Sequence, residues 1–352
     1  MHKIRIPSMG SYFQHITVEM SQLCIIGAGA TGLLMLLLLQ KNGIDMSKVT
    51  IIDPYFDGGD LARRWTAVIS NTPWYKTIDS LKDTFPSLVI PDSFESTQTT
   101  PLIEIANLLR TLCGPVLKQV IQIQGMAMES NYDTTTNLWT ITVETGCTQQ
   151  KVQSKKLIFA QGGEPKTMNL SIPSIPLDIA LDVSRMKHYI KPGDKVLVFG
   201  TMHSGTIVIQ NLASLGADTT AYYNSEVPFY MSRDGAYDGI KAEAAEIADR
   251  IASGTITVSL VQTKDTAKVI RTSRDAKWVV YAMGFAPRSA QISVDGVKSS
   301  TEYDELTGRF MKMPAWGFGI AYPNRAPDGI HWDVSVAAFL EHMKAQISKI
   351  IE

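Results

Sequence analysis

A short apolar segment that runs into a glycine-rich turn constrains this chain more than any other feature. Leu23–Ile26 precedes the turn, and an uncharged run, Leu33–Leu39, follows it. A second apolar segment, 49–52, ends at Asp53. The turn itself consists of small residues: Gly27, Ala28, Gly29, Ala30, Thr31 and Gly32. A strand, a tight turn, a helix and a second strand closed by an acid form the start of a parallel α/β fold.

Each part of this layout suits a bound dinucleotide. Gly27 permits the tight turn, Gly29 lets the backbone approach a pyrophosphate, and Gly32 lets the helix sit close to the strand. The helix N-terminus offers free N–H groups and a positive dipole end to the phosphates. Asp53 lies near the spacing of about 20 residues expected for an acid that binds a ribose. The alternative is a glycine-rich turn in an α/β protein without such a ligand, and Asp53 argues against it.

The composition restricts the classes of partner. The chain has 352 residues, a formal net charge of −1 and no basic block, which argues against nucleic acids and anionic membranes. Its three cysteines, Cys24, Cys113 and Cys147, form neither a Cys-x-x-Cys pair nor a metal-binding cluster. We therefore expect no metal site, a cytoplasmic location and a small-molecule substrate. The sequence leaves the oligomeric state open, with a homodimer as one arrangement.

The uncharged segment 23–39 is not expected to span a membrane. A spanning helix needs about 20 apolar residues, and the glycine turn divides this segment into a strand and a helix. Residues 1–20 carry Lys3, Arg5 and Glu19 without an apolar core, so no secretory signal is evident. We expect these residues to form an N-terminal extension.

A second strand–turn–helix pattern opens at Lys195–Phe199. The strand runs into a turn that carries Gly200 and Gly205, and the pattern continues with an apolar helix at 207–213 and a strand at 219–223. The chain therefore contains two βαβ beginnings, which predicts two nucleotide-binding halves.

The second turn departs from the first where a ligand would bind. Met202 replaces the second glycine, and a side chain there pushes a pyrophosphate away from the backbone. Arg233 in a loop is the one candidate partner for a 2′-phosphate. The residues after the second strand carry no charge: Tyr222, Tyr223, Asn224 and Ser225. Two interpretations stay open: a nicotinamide nucleotide site, or a half that keeps the fold without its ligand.

Two polar residues start the helix after the second turn. His203 is a candidate proton carrier or phosphate contact, and the alternative is a histidine packed against its own helix. Ser204 is placed to cap free N–H groups.

Four stretches give the chain a resemblance to the flavin-containing monooxygenase and N-hydroxylase superfamily. They follow one another in the family's order over most of residues 22–290, and this order is more specific than any one motif. The stretches are 27–32 with Asp53; Gly58-Gly59, Arg64-Trp65 and 70–73; Phe159-Ala160-Gln161-Gly162, recurring at 281–288; and 196–205. The chain lacks the family's Phe-x-Gly-x-x-x-His fingerprint, since residues 179–190 read differently.

The resemblance implies an α/β fold with two Rossmann-like domains, the second inserted in the first. Residues 21–165 and 286–352 would form the FAD-binding domain. Residues 166–285 would form an NAD(P)-binding-like domain.

The resemblance also implies roles for individual residues. Asn71, near the reactive edge of the flavin, and His203 are the candidate catalytic residues. The implied cofactor contacts are Gly27, Ala28, Gly29, Ala30, Thr31, Gly32, Asp53, Arg64, Trp65, Asn71, Thr72, Ala160, Gln161, Gly162 and Asp333 for FAD, and Gly200, Ser204 and Gly205 for the nicotinamide nucleotide. Three of these residues also have a purely structural interpretation: a turn cap for Asn71, a solvent-facing charge for Arg64, and a helix-start acid for Asp333.

The function expected from this resemblance is that of an FAD-dependent oxidoreductase. NAD(P)H, as NADP or NAD, would reduce the FAD, and the reaction would be monooxygenase-like on a small molecule. Two alternatives are a non-catalytic FAD-binding protein with a degenerate nicotinamide site, and a flavin oxidase that uses no NAD(P)H.

Overall fold

A computed structural model describes residues 20–90, 99–229, 237, 239–288, 291–300, 302–311, 313–326, 329 and 332–352. The predicted extension at 1–19 and the candidate Arg233 lie outside the described residues. The helices are α1 (Ala30–Lys41), α2 (Asp60–Arg63), α3 (Trp74–Thr84), α4 (Leu102–Leu117), α5 (Leu177–Ala180), α6 (Val183–Met186), α7 (His203–Ser214), α8 (Glu243–Ala252), α9 (Thr266–Ser273) and α10 (Val336–Ile351), with a 3-10 turn at Met46–Lys48.

The strands follow in chain order. They are β1 (Ser21–Ile26), β2 (Val49–Asp53), β3 (Ile121–Gln124), β4 (Met126–Asp133), β5 (Leu138–Thr145), β6 (Thr148–Phe159), β7 (Gly163–Pro165), β8 (Lys195–Phe199), β9 (Asp218–Tyr223), β10 (Ser259–Gln262), β11 (Trp278–Tyr281), β12 (Phe285–Pro287), β13 (Gln291–Val294), β14 (Val297–Lys298), β15 (Ala315–Gly317), β16 (Asn324–Arg325) and β17 (Trp332–Asp333).

The described residues form two compact units. The first lies within 1–59, 113–161 and 289–352, and the second within 60–112 and 162–288. Each unit contains a strand, a glycine turn, a helix and a second strand that pairs in parallel with the first, which confirms the predicted α/β class with two Rossmann-like halves.

Residues 60–112, which the resemblance placed in the first domain, cluster with the second unit. The physical reason is burial, because Trp65 lies in the hydrophobic core of the second unit with Leu61, Val68 and Leu102 packed around that core.

The sheet of the first unit has the strand order β14-β13-β4-β5-β6-β1-β2-β3, and β15 pairs with β6. Strand β6 has two roles. Its first part pairs antiparallel with β5, while Leu157–Phe159 pairs in parallel with both β1 and β15. The carboxyl ends of β1, β2, β6 and β15 therefore meet at one edge, where ligands of open α/β sheets bind.

Helix α1 is buried over most of its length because Leu33–Leu39 carries no polar face. Helix α10 packs against it and contributes Leu340, Met343 and Ile350 to the buried surface. Ser335 caps α10 by accepting a hydrogen bond from the Ala338 N–H at 3.1 Å. No helix within the described ranges is both long and apolar enough to cross a lipid bilayer.

The sheet of the second unit is parallel, with the order β10-β9-β8-β11. Helices α7 and α8 pack together, and Val208, Ile209 and Leu212 of α7 lie in the core. A short antiparallel ribbon joins β7 to β12, with Gly163 opposite Pro287.

Candidate functional site

The first glycine turn joins β1 to α1 and is fixed by the glycines at its two ends. Gly27 donates its N–H to the carbonyl of Ile52 at 2.8 Å and has a φ of +105°, a conformation that residues with side chains rarely adopt. A Cβ added at Gly27 would overlap the carbonyl of Ala160, and one added at Gly32 would overlap the carbonyl of Gly27. Packing within the first unit therefore requires both glycines, with or without a ligand.

Packing does not require Gly29, the middle glycine. Its backbone is extended, with φ −77° and ψ −170°, a region open to any residue. The nearest atom to an added Cβ is the Cα of Gly59 at 3.8 Å, an ordinary van der Waals distance. Because α1 begins at the next residue, free N–H groups and the positive end of the helix dipole lie here. The missing side chain thus leaves space where an anion approaches the helix, as a pyrophosphate does.

Asp53 holds the turn through three backbone N–H groups. Its Oδ2 accepts from Ala28 at 2.8 Å, and its Oδ1 accepts from Tyr55 and Phe56, both at 2.8 Å. The side chain is buried. A carboxylate offers about four acceptor positions, so one remains for a hydroxyl group such as that of a ribose.

Two further glycine loops border the first turn. Gly58 forms an isolated parallel bridge with Gly29, and a Cβ added at Gly59 would lie 2.8 Å from the Cα of Gly29. Gly319 follows β15 with a φ of +86°, and a Cβ added there would lie 2.5 Å from Oγ1 of Thr31. Glycines of two separate loops therefore lie against the start of α1.

Sequence reasoning identified the first of these loops through Gly58-Gly59 but missed Gly319. The available signal was the alternation Gly317-Phe318-Gly319 after a short apolar segment. The pairing of β15 with β6 that brings Gly319 to the turn is a long-range contact.

A cavity of about 400 Å³ opens beside the residue that follows Asp53. It is lined by Pro54, Gln124, Gly125, Met126, Glu144, Thr145 and Gly146. The Nε2 of Gln124 donates to the carbonyl of Pro54 at 3.1 Å. The cavity lies at the carboxyl ends of β2 and β3, on the same side as the glycine turn.

The predicted contacts at the end of β6 divide between the two units. Ala160 donates its N–H to Ile26 at 2.8 Å, and both Ala160 and Gln161 pack against Gly27. Gly162 has a φ of +74°, belongs to the second unit, and accepts a hydrogen bond from the N–H of Arg288 at 3.2 Å.

Arg64 is engaged in an ion-pair network within the second unit. Its Nη1 lies 2.7 Å from Glu164 Oε2. Arg288 contacts the other oxygen of Glu164 through Nε at 2.6 Å, and Asp60 Oδ2 through Nη2 at 2.5 Å. Burial favours a higher pKa for Glu164, but the hydrogen bonds from Arg288 and Arg64 outweigh it and leave that pKa below its usual value. The FAD contact predicted for Arg64 stays a prediction, and its guanidinium already has a carboxylate partner.

Trp65 lies in the hydrophobic core of the second unit. Its ring meets Phe285 edge to face at 5.7 Å between centroids, and the guanidinium of Arg64 lies 5.0 Å from its centroid. Asn71 and Thr72 are half-buried in the loop before α3, where Ser70 Oγ donates to Thr72 O at 2.8 Å. Asn71 Oδ1 accepts from Thr72 Oγ1 at 3.3 Å, and the catalytic role of Asn71 stays a prediction.

The second turn repeats the packing of the first. Gly200 donates to Tyr222 O at 2.9 Å and has a φ of +103°. A Cβ added at Gly200 would overlap the carbonyl of Ala282, and one at Gly205 would overlap that of Gly200. The N–H of Gly27 bonds to Ile52, the residue before Asp53, and the N–H of Gly200 bonds to Tyr222, the residue before Tyr223. Tyr223 therefore holds the position of Asp53, and it is not an acid.

The start of α7 differs from expectation at Ser204. Met202 occupies the N-cap position, and no side chain caps the helix, so the predicted capping role of Ser204 is wrong: it is the second residue of the helix. His203 is the first residue, and its buried Nδ1 has no hydrogen-bond partner among the described residues. Burial, and then the positive charge of Lys241, lower the pKa of His203.

Asp333 lies in the hairpin before α10 and not at the helix start. Its Oδ2 accepts from Asn324 Nδ2 at 3.3 Å across the β16–β17 pair, while Ser335 is the helix cap. The flavin contact predicted for Asp333 stays a prediction.

The cysteines offer no redox pair in the described structure. Cys24 and Cys113 are buried and burial raises the pKa of each thiol, while Cys147 is exposed. Among the described residues, no cluster of three His, Cys, Asp or Glu side chains is arranged to hold a metal ion.

Comparisons with known proteins identify the fold to which this geometry belongs. No family model matches the chain. A monooxygenase of Paecilomyces divaricatus, AgnR1, is 23% identical over 373 residues, covering 91% of this chain and 94% of that protein. The bacillithiol disulfide reductase Bdr (YpdA) of Bacillus cereus superposes with a TM-score of 0.65 at 15% identity, over 94% of this chain and 99% of its own. DfoA of Erwinia amylovora, a cadaverine monooxygenase solved with FAD bound, superposes with a TM-score of 0.61 at 12% identity, over 94% and 95%. The chain thus has the fold of the flavoproteins with two dinucleotide-binding domains.

Proposed function

We propose that this chain is an FAD-dependent oxidoreductase of the monooxygenase-like type, which takes electrons from NAD(P)H and acts on a small molecule. The observation that carries the proposal is Gly29. It is the one glycine of the first turn that the fold does not need, yet it leaves space at a helix N-terminus beside a buried carboxylate. The similarity to a fungal monooxygenase along nearly the whole chain supports the same class of reaction.

The residues of the first unit fit FAD at several points. The pyrophosphate would lie against the N–H groups that follow Gly29, and a ribose hydroxyl would donate to the free acceptor position of Asp53. The cavity beside Pro54 would take the adenine end. Bound flavin supplies hydride and electron transfer, chemistry that side chains lack.

A second candidate function is a non-catalytic FAD-binding protein. Met202 and Tyr223 favour it, because both stand where a nicotinamide nucleotide would need a glycine and a hydrogen-bonding acid. In this case the first turn binds FAD, and the second turn retains the fold without binding a nicotinamide nucleotide.

One titration separates the two functions. The purified protein is examined for flavin absorption and then mixed with NADPH or NADH without oxygen. Bleaching of the flavin band by either donor is the expected result. A flavin that stays oxidised with both donors would contradict the NAD(P)H-dependent enzyme, and a protein that takes up no FAD would contradict both functions.

The FAD part is tested by Gly29→Ala. The added methyl group has room in the protein, so the variant should fold, but FAD affinity should fall by about tenfold or more, or about 1.4 kcal/mol. Gly114→Ala is the matched control, because a Cβ at Gly114 meets nothing within 4 Å. Equal FAD affinity in both variants would show that Gly29 does not face the ligand.

A further inference from the structure

Glycine is retained in the second turn only where packing demands it. Gly200 and Gly205 reproduce the overlaps seen at Gly27 and Gly32. The position that packing leaves free carries Met202 instead of glycine. The two turns therefore obey the same constraint from the fold and differ at the position that faces a ligand.

The difference is confined to a side chain, because the backbone is the same. Met202 has φ −79° and ψ −166°, against φ −77° and ψ −170° at Gly29. Each residue is the N-cap of the helix that follows. Removal of the side chain at 202 would recreate the surface that Gly29 presents.

The Met202 side chain has room to move. It is 39% exposed, and methionine is unbranched with several rotatable bonds. A Cβ added at Gly239 would lie 2.9 Å from the Cε of Met202, so the methyl group rests in space left open by a second glycine.

The electrostatics around this turn favour an anion. Tyr223 stands where the first turn has Asp53, so this position carries no carboxylate. Lys241 lies near enough to His203 to lower the pKa of the imidazole, and the N-terminus of α7 adds its positive dipole end. The backbone matches that of the first turn, and the position that differs is Met202.

We infer that Met202 is a specificity-determining residue that sets how tightly the second turn binds the pyrophosphate of a nicotinamide nucleotide. Its side chain starts at the N-cap, where a pyrophosphate would approach the helix, and would have to move aside when the nucleotide binds, which weakens binding. The inference rests on the proposed use of NAD(P)H.

The test compares wild type with Met202→Gly and Met202→Leu by calorimetric titration of FAD-loaded protein with NADP⁺. Met202→Gly should bind NADP⁺ at least about tenfold more tightly, a gain of about 1.4 kcal/mol, and Met202→Leu should bind like wild type. Adenosine 2′,5′-bisphosphate, which lacks the pyrophosphate, should bind all three within about twofold. FAD content and thermal unfolding of each variant show whether it is folded.

The outcomes are distinct. Unchanged NADP⁺ affinity in folded Met202→Gly overturns the inference, and bleaching of wild-type flavin by NADPH would then leave the proposed function standing. No NADP⁺ binding by any folded variant overturns the inference as well, and failure of NADPH and NADH to bleach the flavin would then remove the proposed NAD(P)H dependence too. Equal tightening for the bisphosphate would also overturn it, because the effect would not concern the pyrophosphate.

Discussion

At the first turn a buried carboxylate closes the loop, whereas at the second a hydroxyl does so. Asp53 accepts three backbone N–H groups in the first unit. In the second, Thr201, which corresponds to Ala28, donates its Oγ1 to the carbonyl of Pro228. Both closures support the same glycine backbone, but Asp53 accepts hydrogen bonds from its turn, whereas Thr201 donates one from its turn. The comparison separates what the fold needs from what a ligand needs.

The largest expected effect is the loss of stability on substitution of a glycine that the two turns share. Gly27→Val and Gly200→Val each place a side chain at positive φ and against a carbonyl, so each should lower the free energy of unfolding by about 3 kcal/mol or more. Urea unfolding measures this, with Gly114→Ala as control. Tolerance of the change at Gly200 but not at Gly27 would break the structural equivalence of the turns.

A smaller loss of stability should distinguish Asp53 from Tyr223, the last residues of β2 and β9. Asp53→Asn replaces a charged acceptor of three N–H groups and should cost about 1.5 to 3 kcal/mol of stability, with loss of bound FAD. Tyr223→Phe at the corresponding position should change stability by no more than about 0.5 kcal/mol. Urea unfolding and the flavin-to-protein absorbance ratio give both quantities. Retention of bound FAD in an Asp53→Asn variant that has lost stability would show that Asp53 is only a structural residue.

The smallest effect is a pH dependence of stability that arises at the second turn and has no counterpart at the first. The pKa of His203 is lowered in the folded protein by burial and by Lys241, so below about pH 6.5 the unfolded chain binds more protons than the folded one. Above that pH, His203 leaves the free energy of unfolding unchanged. As the pH falls below it, His203 lowers the free energy of unfolding progressively. Ala30 at the first turn has no titratable group.

His203→Gln should consequently flatten the loss of stability between about pH 7 and 5.5. Thermal unfolding across this range measures the slope. His342→Gln is the comparison variant. His342 is buried in the first unit with a lowered pKa of its own, so this variant should flatten the profile by a separate share, and the effects of the two substitutions should add. An unchanged profile in His203→Gln would show that His203 titrates alike in both states.

The first turn was predictable because its information is local. The spacing of Gly27, Gly29 and Gly32 reflects contacts within one strand, turn and helix, and Asp53 follows on the next strand. Arg64 was not predictable in the same way, since its carboxylate partner Glu164 lies 100 residues along the chain.

The membership of residues 60–112 and the place of Gly319 also required long-range packing. Residues 60–112 cluster with the second unit through Trp65, and Gly319 reaches the turn because β15 pairs with β6. At α10, Asp333 and Ser335 are both reasonable helix-start residues in the sequence. The hairpin pairing with Asn324, which removes Asp333 from that role, is visible only in the fold.

The contact between α1 and α10 has a consequence for how the protein is made. The uncharged helix after the first turn is covered by a helix that leaves the ribosome long after it. During synthesis the leucines of α1 therefore stay exposed until α10 has been made, and exposed apolar surface favours chaperone binding or aggregation. A truncation that removes α10 would expose the most apolar helix of the first unit beside the very turn proposed to hold the cofactor.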